Sequence, residues 1–223
     1  MILAAGRGER MRPLTDLTPK PLLQVGGKPL IVWHVERLRE AGFTRIVINH
    51  AHFGQQIEDA LGNGAAFGVS IVYSREGTAL ETAGGIATAL PLLDAEVFPV
   101  VNGDIYTEFD FSRLAEPMHK IRAGRDSAHL VLVDNPTHHA QGDFALVEGR
   151  VMNEGQPKLT FSGVGVYHCG LFAGIDAGVK APLAPLLRET ILLGRVSGEH
   201  DSGRWVDVGT PERLRELDAM LSR

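Results

Sequence analysis

Residues 1–22, MILAAGRGERMRPLTDLTPKPL, open with an apolar run and pass directly into a loop with two glycines and three arginines. MILAA reads as a strand, which makes Ala5-Gly6-Arg7-Gly8-Glu9-Arg10 the first strand-to-helix turn. Open α/β sheets bind ligands at the carboxyl ends of their strands, so this turn is a binding position. Its glycines let the backbone turn tightly and present bare N–H groups to an anion. Across the first 28 residues Arg7, Arg10, Arg12, Lys20 and Lys28 stand against only Glu9 and Asp16, although the whole chain carries a net charge of −5. Positive charge concentrated in one loop of an acidic protein suits a small anion, with Arg10 and Lys20 as mobile charges that can follow a phosphate.

Outward from this loop, strand and helix signals alternate. LIVWHVERLREAG (30–42) has apolar residues at helical spacing and a glycine stop; RIVINH is a buried strand, QQIEDALG a short helix and VSIVYS a third strand. Thr82 is placed to cap a helix over Ala83 to Leu90, and VFPVVNGD is a fourth strand. The β-α-β-α order predicts a parallel sheet with right-handed crossovers. Beyond about Phe111 the pattern changes. SAHLVLVD and FSGVGVYH read as strands, DFALVEGRVM as a hairpin turning at Glu148-Gly149, 182–193 as a helix, and PERLRELDAML as a closing helix with Pro211 in its first turn. The expectation is one domain over 1–223, with a nucleotide-binding core in 1–110 and a sugar-binding lobe with closing elements in 111–223.

The 223 residues, 44% of them hydrophobic, can build a core without a disulfide or structural metal. Cys169 is the only cysteine and reads as a small buried residue, consistent with a reducing, cytoplasmic setting. No apolar run approaches the roughly 20 residues of a membrane span, and no signal peptide is read at the N-terminus. Without a basic block or basic-aromatic alternation, nothing suits nucleic acid as a partner.

Two common phosphate motifs are absent. The one Gly-Lys, Gly27-Lys28, is followed by Pro29 and makes no P-loop; a dinucleotide fingerprint would need glycine where Met11 stands. The longer string is more specific. Ala4-Ala5-Gly6-Arg7-Gly8-Glu9-Arg10-Met11-Arg12-Pro13-Leu14-Thr15, followed by Pro19-Lys20-Pro21-Leu22, resembles the signature of the sugar-1-phosphate nucleotidylyltransferases. Prolines on both sides of Lys20 should hold its backbone extended. The resemblance implies a Rossmann-like, mostly parallel mixed sheet flanked by helices, with a small substrate lobe. It also implies Arg10 and Lys20 as the catalytic charges and a nucleotide site at Ala5, Gly6, Gly8, Glu9, Arg10, Lys20, Thr82, Gly84 and Asn102.

Two acids point to a metal. Asp104 ends the VVNGD strand and Asp207 ends a short apolar strand in GRWVDVGT; strand-end carboxylates can meet over one sheet edge and, with phosphate oxygens and water, suit Mg²⁺. The family resemblance gives both the role of metal ligand. Thr82, Gly84 and Gly85 open a helix whose N-terminus suits a base or ribose lying close to the backbone. Asp143, in HHAQGDFAL, can accept hydrogen bonds from two neighbouring sugar hydroxyls, whereas His138 and His139 read as solvated turn residues. Many relatives carry a second phosphate-binding lysine in an E-K-P string; none occurs here, and Lys158 is the candidate replacement.

VINHAHFGQQIEDALGNG, HLVLVDNPTHHAQGDF and VSGEHDSGRWVDVGT resemble the branch of the family that joins UTP to an N-acetylmuramyl 1-phosphate in cell-wall sugar recycling. Guanylyl transfer to mannose 1-phosphate is the alternative. The chain stops soon after Val208-Gly209-Thr210 and lacks the hexapeptide-repeat helix of many relatives, so a monomer that transfers nucleotides only is expected. A sugar phosphate is already an anionic nucleophile, so the protein's task is to align two anions and neutralise charge. Lys20 and both acids argue against a non-catalytic sensor, and Asn102-Gly103-Asp104 lacks the first acid of a glycosyltransferase D-x-D.

Overall fold

The computed structural model describes residues 1–222. In chain order the elements are β1 (Ile2–Leu3), β2 (Gln24–Val25), β3 (Lys28–Pro29), α1 (Leu30–Glu40), β4 (Arg45–His50), α2 (Gly54–Leu61), β5 (Ser70–Arg75), α3 (Glu81–Leu93), β6 (Val97–Asn102) and β7 (Ile105–Thr107). They continue as α4 (Ala115–Arg122), β8 (Ala128–Val133), β9 (Phe144–Val147), β10 (Arg150–Met152), β11 (Lys158–His168), α5 (Leu183–Leu192), β12 (Val196–Asp201), β13 (Trp205–Asp207) and α6 (Pro211–Leu221).

Nine strands form one mixed sheet in the order β5-β4-β1-β6-β11-β8-β12-β10-β9. Pairing is parallel from β5 to β6 and between β8 and β12; β11 runs antiparallel to both β6 and β8. The chain leaves β1 towards β4 and β5, then returns through α3 to place β6 on the other side of β1. This reversal opens a crevice at the carboxyl edge of β1, where an α/β sheet binds its ligand. Leu3 pairs with Asn49 on one side and Asn102 on the other, so both asparagines end at that edge.

Apolar residues on both sheet faces build the core. Ile2, Ile46, Ile48, Ile57 and Leu114 pack on one side; Ala83, Ile86, Phe98, Leu130, Tyr167 and Leu187 pack on the other. A third cluster joins Met11, Leu30, Tyr106, Val208, Leu214 and Leu217 beneath the loop that follows β1. Leu214 and Leu217 thus cover an intramolecular face. Among the described residues no helix is long and apolar enough to cross a membrane.

Several elements differ from the sequence expectation. MILAA contributes only Ile2–Leu3; beyond them the Ala4 N–H is shared between Asn49 O at 3.2 Å and Asn49 Oδ1 at 2.9 Å. The strand expected to run to Asp104 ends at Asn102, and Gly103-Asp104 turn the chain into β7. Lys20 opens a short 3₁₀ turn to Leu22 in place of extended backbone; Pro19 alone is extended. The Glu148-Gly149 turn forms as expected, with φ of 48° and 76°. These values are those of the turn type that matches the twist of a two-residue hairpin.

Away from the crevice, Glu58 of α2 ties together the ends of β4 and β5. Its carboxylate accepts from Arg75 Nε at 2.7 Å and Nη2 at 2.6 Å, and lies 2.7 Å from His50 Nε2. The Arg75 hydrogen bonds, helped by His50, hold the Glu58 carboxyl down at about 2 against its usual 4.5. A depressed carboxyl stabilises the fold above its unfolded pKa and loses that contribution as pH falls through its folded pKa. Glu58→Gln should therefore lower the urea midpoint at pH 7 and progressively less from pH 4.5 towards 2. A wild-type-to-variant difference that does not change over that window would refute the assignment.

Candidate active site

The loop after β1 is shaped by one glycine above all. Gly8 has φ 67°, a conformation that strains any side chain, and a Cβ there would also sit tightly against Thr15 Cγ2 at 3.1 Å and Lys20 Cβ at 3.2 Å. Glu9–Met11 then form a 3₁₀ turn, and Thr15 Oγ1 donates to Gly8 O at 2.8 Å. Met11 is fully buried and anchors the loop in the third cluster. The loop's excess of charge resolves in detail. Arg12 pairs with Asp16 at 3.2 Å, Lys28 with Glu36, and Lys20 with Asp104 at 2.7 Å, while Arg7 lies 3.9 Å from Glu9. Arg10 makes no ion pair or side-chain hydrogen bond among the described residues, and it faces a cavity of ≈ 520 Å³.

That cavity is lined by Ala5, Gly6, Gly8, Glu9, Arg10, Lys20, Thr82, Asn102 and Asp104, all anticipated from sequence, and also by Asn49, Glu81 and Lys180. Lys20 is buried, its side chain only 7% exposed, whereas the Asp104 side chain is 45% exposed and reaches the open space. Asp207 stands beside Asp104 through β7 and β13. Asp207 pairs in register with Ile105, and Val208 N donates to Asp104 O at 3.1 Å. This ribbon is held from below by α1: the His34 ring contacts Ile105 O at 2.8 Å, Arg37 donates to Thr107 O and to Tyr106 Oη, and Trp33 packs edge-on against Tyr106.

Asp207 Oδ2 meets Arg213 Nη1 at 2.6 Å and His138 Nε2 at 3.3 Å. The Oδ1 atoms of Asp104 and Asp207 carry no hydrogen bond among the described residues, which leaves each acid one oxygen for a cation. Among the described residues no group of three or more His, Cys, Asp or Glu side chains is placed to hold a metal ion. Two carboxylates that rely on phosphate and water for the other positions suit Mg²⁺ better than a closed zinc site.

The start of α3 departs from its expected form. The helix begins at Glu81, and Thr82 lies inside the first turn without capping it. Ala181 O accepts the Ala83 and Gly84 N–H groups at 3.0 and 3.1 Å, which satisfies the donors that a ligand or a Thr82 cap would have taken. Thr82 is thereby free to face the cavity, while Gly84 lines neither cavity described here. A Cβ on Gly84 would meet Ala181 N at 3.0 Å, so its smallness serves packing. Glu81 has φ 60°, a left-handed conformation that costs a non-glycine residue about 1–2 kcal/mol, and it pairs with Lys180 at 3.2 Å.

A buried chain of hydrogen bonds joins the loops of this site. Asn49 Oδ1 accepts from Ala4 N, Asn49 Nδ2 donates to Glu76 Oε1 at 2.7 Å, and Glu76 Oε2 accepts from Leu80 N at 2.9 Å. Gly85 leaves the room: a Cβ there would lie 2.7 Å from Asn49 Nδ2. Glu76→Ala strands two buried donors and should cost about 1–3 kcal/mol in chemical denaturation. An unchanged midpoint would show that water replaces the carboxylate.

A second cavity of ≈ 400 Å³ adjoins the first and shares Glu81, Thr82 and Asn102 with it. Asn102 is seated by a bulge in β11, where Gly163 at φ 82° would place a Cβ 2.6 Å from Asn102 Nδ2. Asp143, Phe144, Phe161, Leu183, Leu187 and Arg188 also line it. Asp143 Oδ2 accepts from Phe161 N at 2.8 Å, and Oδ1 lies 3.1 Å from His139 Nε2. The His pair, read from sequence as solvated, therefore reaches two acids: His138 touches Asp207 and His139 touches Asp143. Lys158 lines neither cavity; its carbonyl accepts from Asn135. The second lysine of the cleft, beside Lys20, is Lys180, three residues before α5, which no local motif marks.

The comparisons with known proteins agree with this architecture. The family description "Nucleotidyl transferase" matches residues 1–148. The N-acetylmuramate alpha-1-phosphate uridylyltransferase of Neisseria meningitidis serogroup B is 58% identical over 224 residues, covering 99% of this chain and 96% of that protein. A probable mannose-1-phosphate guanylyltransferase of rice is 31% identical over 95% of this chain and 61% of its own length. Among solved structures, a Bacillus anthracis protein in complex with sucrose has a TM-score of 0.86 at 23% identity, covering 99% of this chain and 94% of that one. HddC from Yersinia pseudotuberculosis has 0.78 at 22%, covering 98% and 97%. At these identities the structural likeness speaks for the fold; the matched length and the 58% relative decide the lineage, and the chain belongs to the nucleotidyl transferase family.

Proposed function

We propose that this chain transfers the uridylyl group of UTP to N-acetylmuramic acid 1-phosphate, giving UDP-N-acetylmuramic acid and pyrophosphate. The observation that carries the reading is the pair of adjoining cavities that share Glu81, Thr82 and Asn102, one with the cationic glycine loop and the other with Asp143. Such a cleft suits a triphosphate and a sugar phosphate bound end to end. The meningococcal relative, alike along almost its whole length, supports the choice of both substrates.

In this reading the sugar phosphate oxygen attacks the α-phosphorus of UTP, an O–P bond forms, and the bond to the β-phosphate breaks as pyrophosphate leaves. Arg10 and the loop N–H groups hold the triphosphate, and Lys20 neutralises charge at the reacting phosphorus. Asp143 receives sugar hydroxyls, and Lys180 in place of Lys158 is the second lysine that meets the phosphates. Asp104 and Asp207 would hold Mg²⁺. When bound, the ion offsets phosphate charge and fixes the approach of the two substrates. No protein nucleophile is required.

The test is pyrophosphate release from a matrix of UTP, GTP, ATP and dTTP against muramyl, glucosaminyl, mannosyl and glucosyl 1-phosphates. The highest kcat/KM is expected for UTP with the muramyl substrate. Preference for GTP with mannose 1-phosphate would overturn the substrate assignment and leave nucleotidyl transfer standing.

A further inference from the structure

We infer that Arg188 recognises the lactyl carboxylate of the muramyl acceptor, an assignment that rests on the substrate reading above. A muramyl sugar is a glucosaminyl sugar with a lactyl ether on its ring, and the added feature is a carboxylate. A pocket that selects it must offer a positive partner on the side away from the reacting phosphate.

The sugar cavity contains three charged side chains, Glu81, Asp143 and Arg188. Both acids are engaged, Glu81 by Lys180 and Asp143 by His139 and Phe161 N. Arg188 has no carboxylate within 4 Å, and its side chain makes no hydrogen bond among the described residues. Its guanidinium carbon lies over the Phe144 ring, 5.4 Å from the ring centre, within cation–π reach. Arg188 is exposed as a residue, yet it lines a cavity beside an aromatic ring, a setting that an arginine free in solvent lacks.

Its place on α5 follows from helical spacing. Leu183 and Leu187, and Ala184 and Arg188, are i,i+4 pairs on the face that lines this cavity. The leucines are buried against the sheet and set the roll of the helix, which carries Arg188 to the cavity wall. Lys20, Asp104 and Lys180 line the other cavity only, and Arg188 lines this one only. The anion that meets Arg188 is therefore separate from the phosphates under transfer. A planar guanidinium fork matches a carboxylate with two parallel hydrogen bonds, a geometry that lysine cannot reproduce.

The experiment measures kcat/KM for N-acetylmuramic acid 1-phosphate and N-acetylglucosamine 1-phosphate, both with UTP, in wild type, Arg188→Gln and Arg188→Lys. In Arg188→Gln the muramyl-to-glucosaminyl ratio should fall by about 10- to 100-fold, the scale of one lost charged hydrogen bond. The loss should appear in the muramyl KM, because the carboxylate lies away from the reacting bond and is held alike in ground and transition states. Arg188→Lys should recover part of the ratio. The side chain makes no hydrogen bond or ion pair among the described residues, and its contact with Phe144 is weak, so a nearly unchanged thermal midpoint is expected to accompany the loss. An unchanged ratio, or an equal fall with both substrates, would overturn the assignment of Arg188 and leave the substrate reading intact. A wild-type enzyme that does not accept the muramyl phosphate would overturn both, and the wild-type column alone reveals that case.

Discussion

Asp104→Asn and Asp207→Asn should each lower kcat by about 10²- to 10³-fold at ordinary Mg²⁺, the scale of removing one charge-stabilising group from a transition state. Asp104 stands in the turn into β7 and Asp207 at the end of the neighbouring β13, each with one oxygen free of hydrogen bonds among the described residues. An amide keeps the shape and removes the negative charge a hard cation requires. The variants should differ in stability. Asp104→Asn leaves the buried Lys20 ammonium facing an amide, a loss below the roughly 3–5 kcal/mol of a fully buried pair because Asp104 is 45% exposed. Asp207→Asn leaves Arg213 and His138, which are more accessible, so this variant separates catalysis from folding. Raised Mg²⁺ should restore part of the rate in both. Near-normal turnover in both at ordinary Mg²⁺ would remove the two acids from the metal site.

How much of this was legible in the sequence depends on whether the deciding interaction is local. The helix read over 30–42 is observed as Leu30–Glu40, because its apolar spacing and glycine stop are properties of the segment itself. β12, VSGEHD, was not foreseen: it has no apolar alternation and is a strand because β8 and β10 flank it. α4 was missed for a related reason. It has eight residues with Pro117 near its start, and the packing of Met118 and Ile121 stabilises it more than propensity does. Thr82 is the right residue type for a cap, but the donors it would satisfy were taken by Ala181, almost a hundred positions away. The opening loop was readable as a site because charge and glycine sit together in one stretch. Lys180, Arg188 and the two histidines acquire their meaning only when a distant segment folds against the sheet edge.

Lys20→Met should lower kcat by about 10²-fold or more, with a smaller change in the KM for UTP. Three features of the site lead to that asymmetry. Lys20 is fixed by burial: its side chain is 7% exposed, Gly8 packs against its Cβ, and the 3₁₀ turn to Leu22 sets its backbone. A charge held this firmly needs little reorganisation when the phosphorus gains negative charge, which is where preorganised charge acts most strongly. Its partner in this structure is Asp104, at 2.7 Å, so the free site balances one buried cation against one carboxylate. In the proposed complex Lys20 would exchange Asp104 for a phosphate oxygen, and Asp104 with Asp207 would hold the divalent cation, so that neither charge is left unpaired. In the proposed complex Arg10 and the loop N–H groups would share the hold on UTP, so removing Lys20 should weaken it less. Lys20→Arg keeps the charge but must fit a broader head into a position only 7% exposed; it should fold and fall short of wild-type turnover. A rise confined to KM in Lys20→Met would make Lys20 a binding residue and move the transition-state role to another cation of the cleft, Arg10 or Lys180.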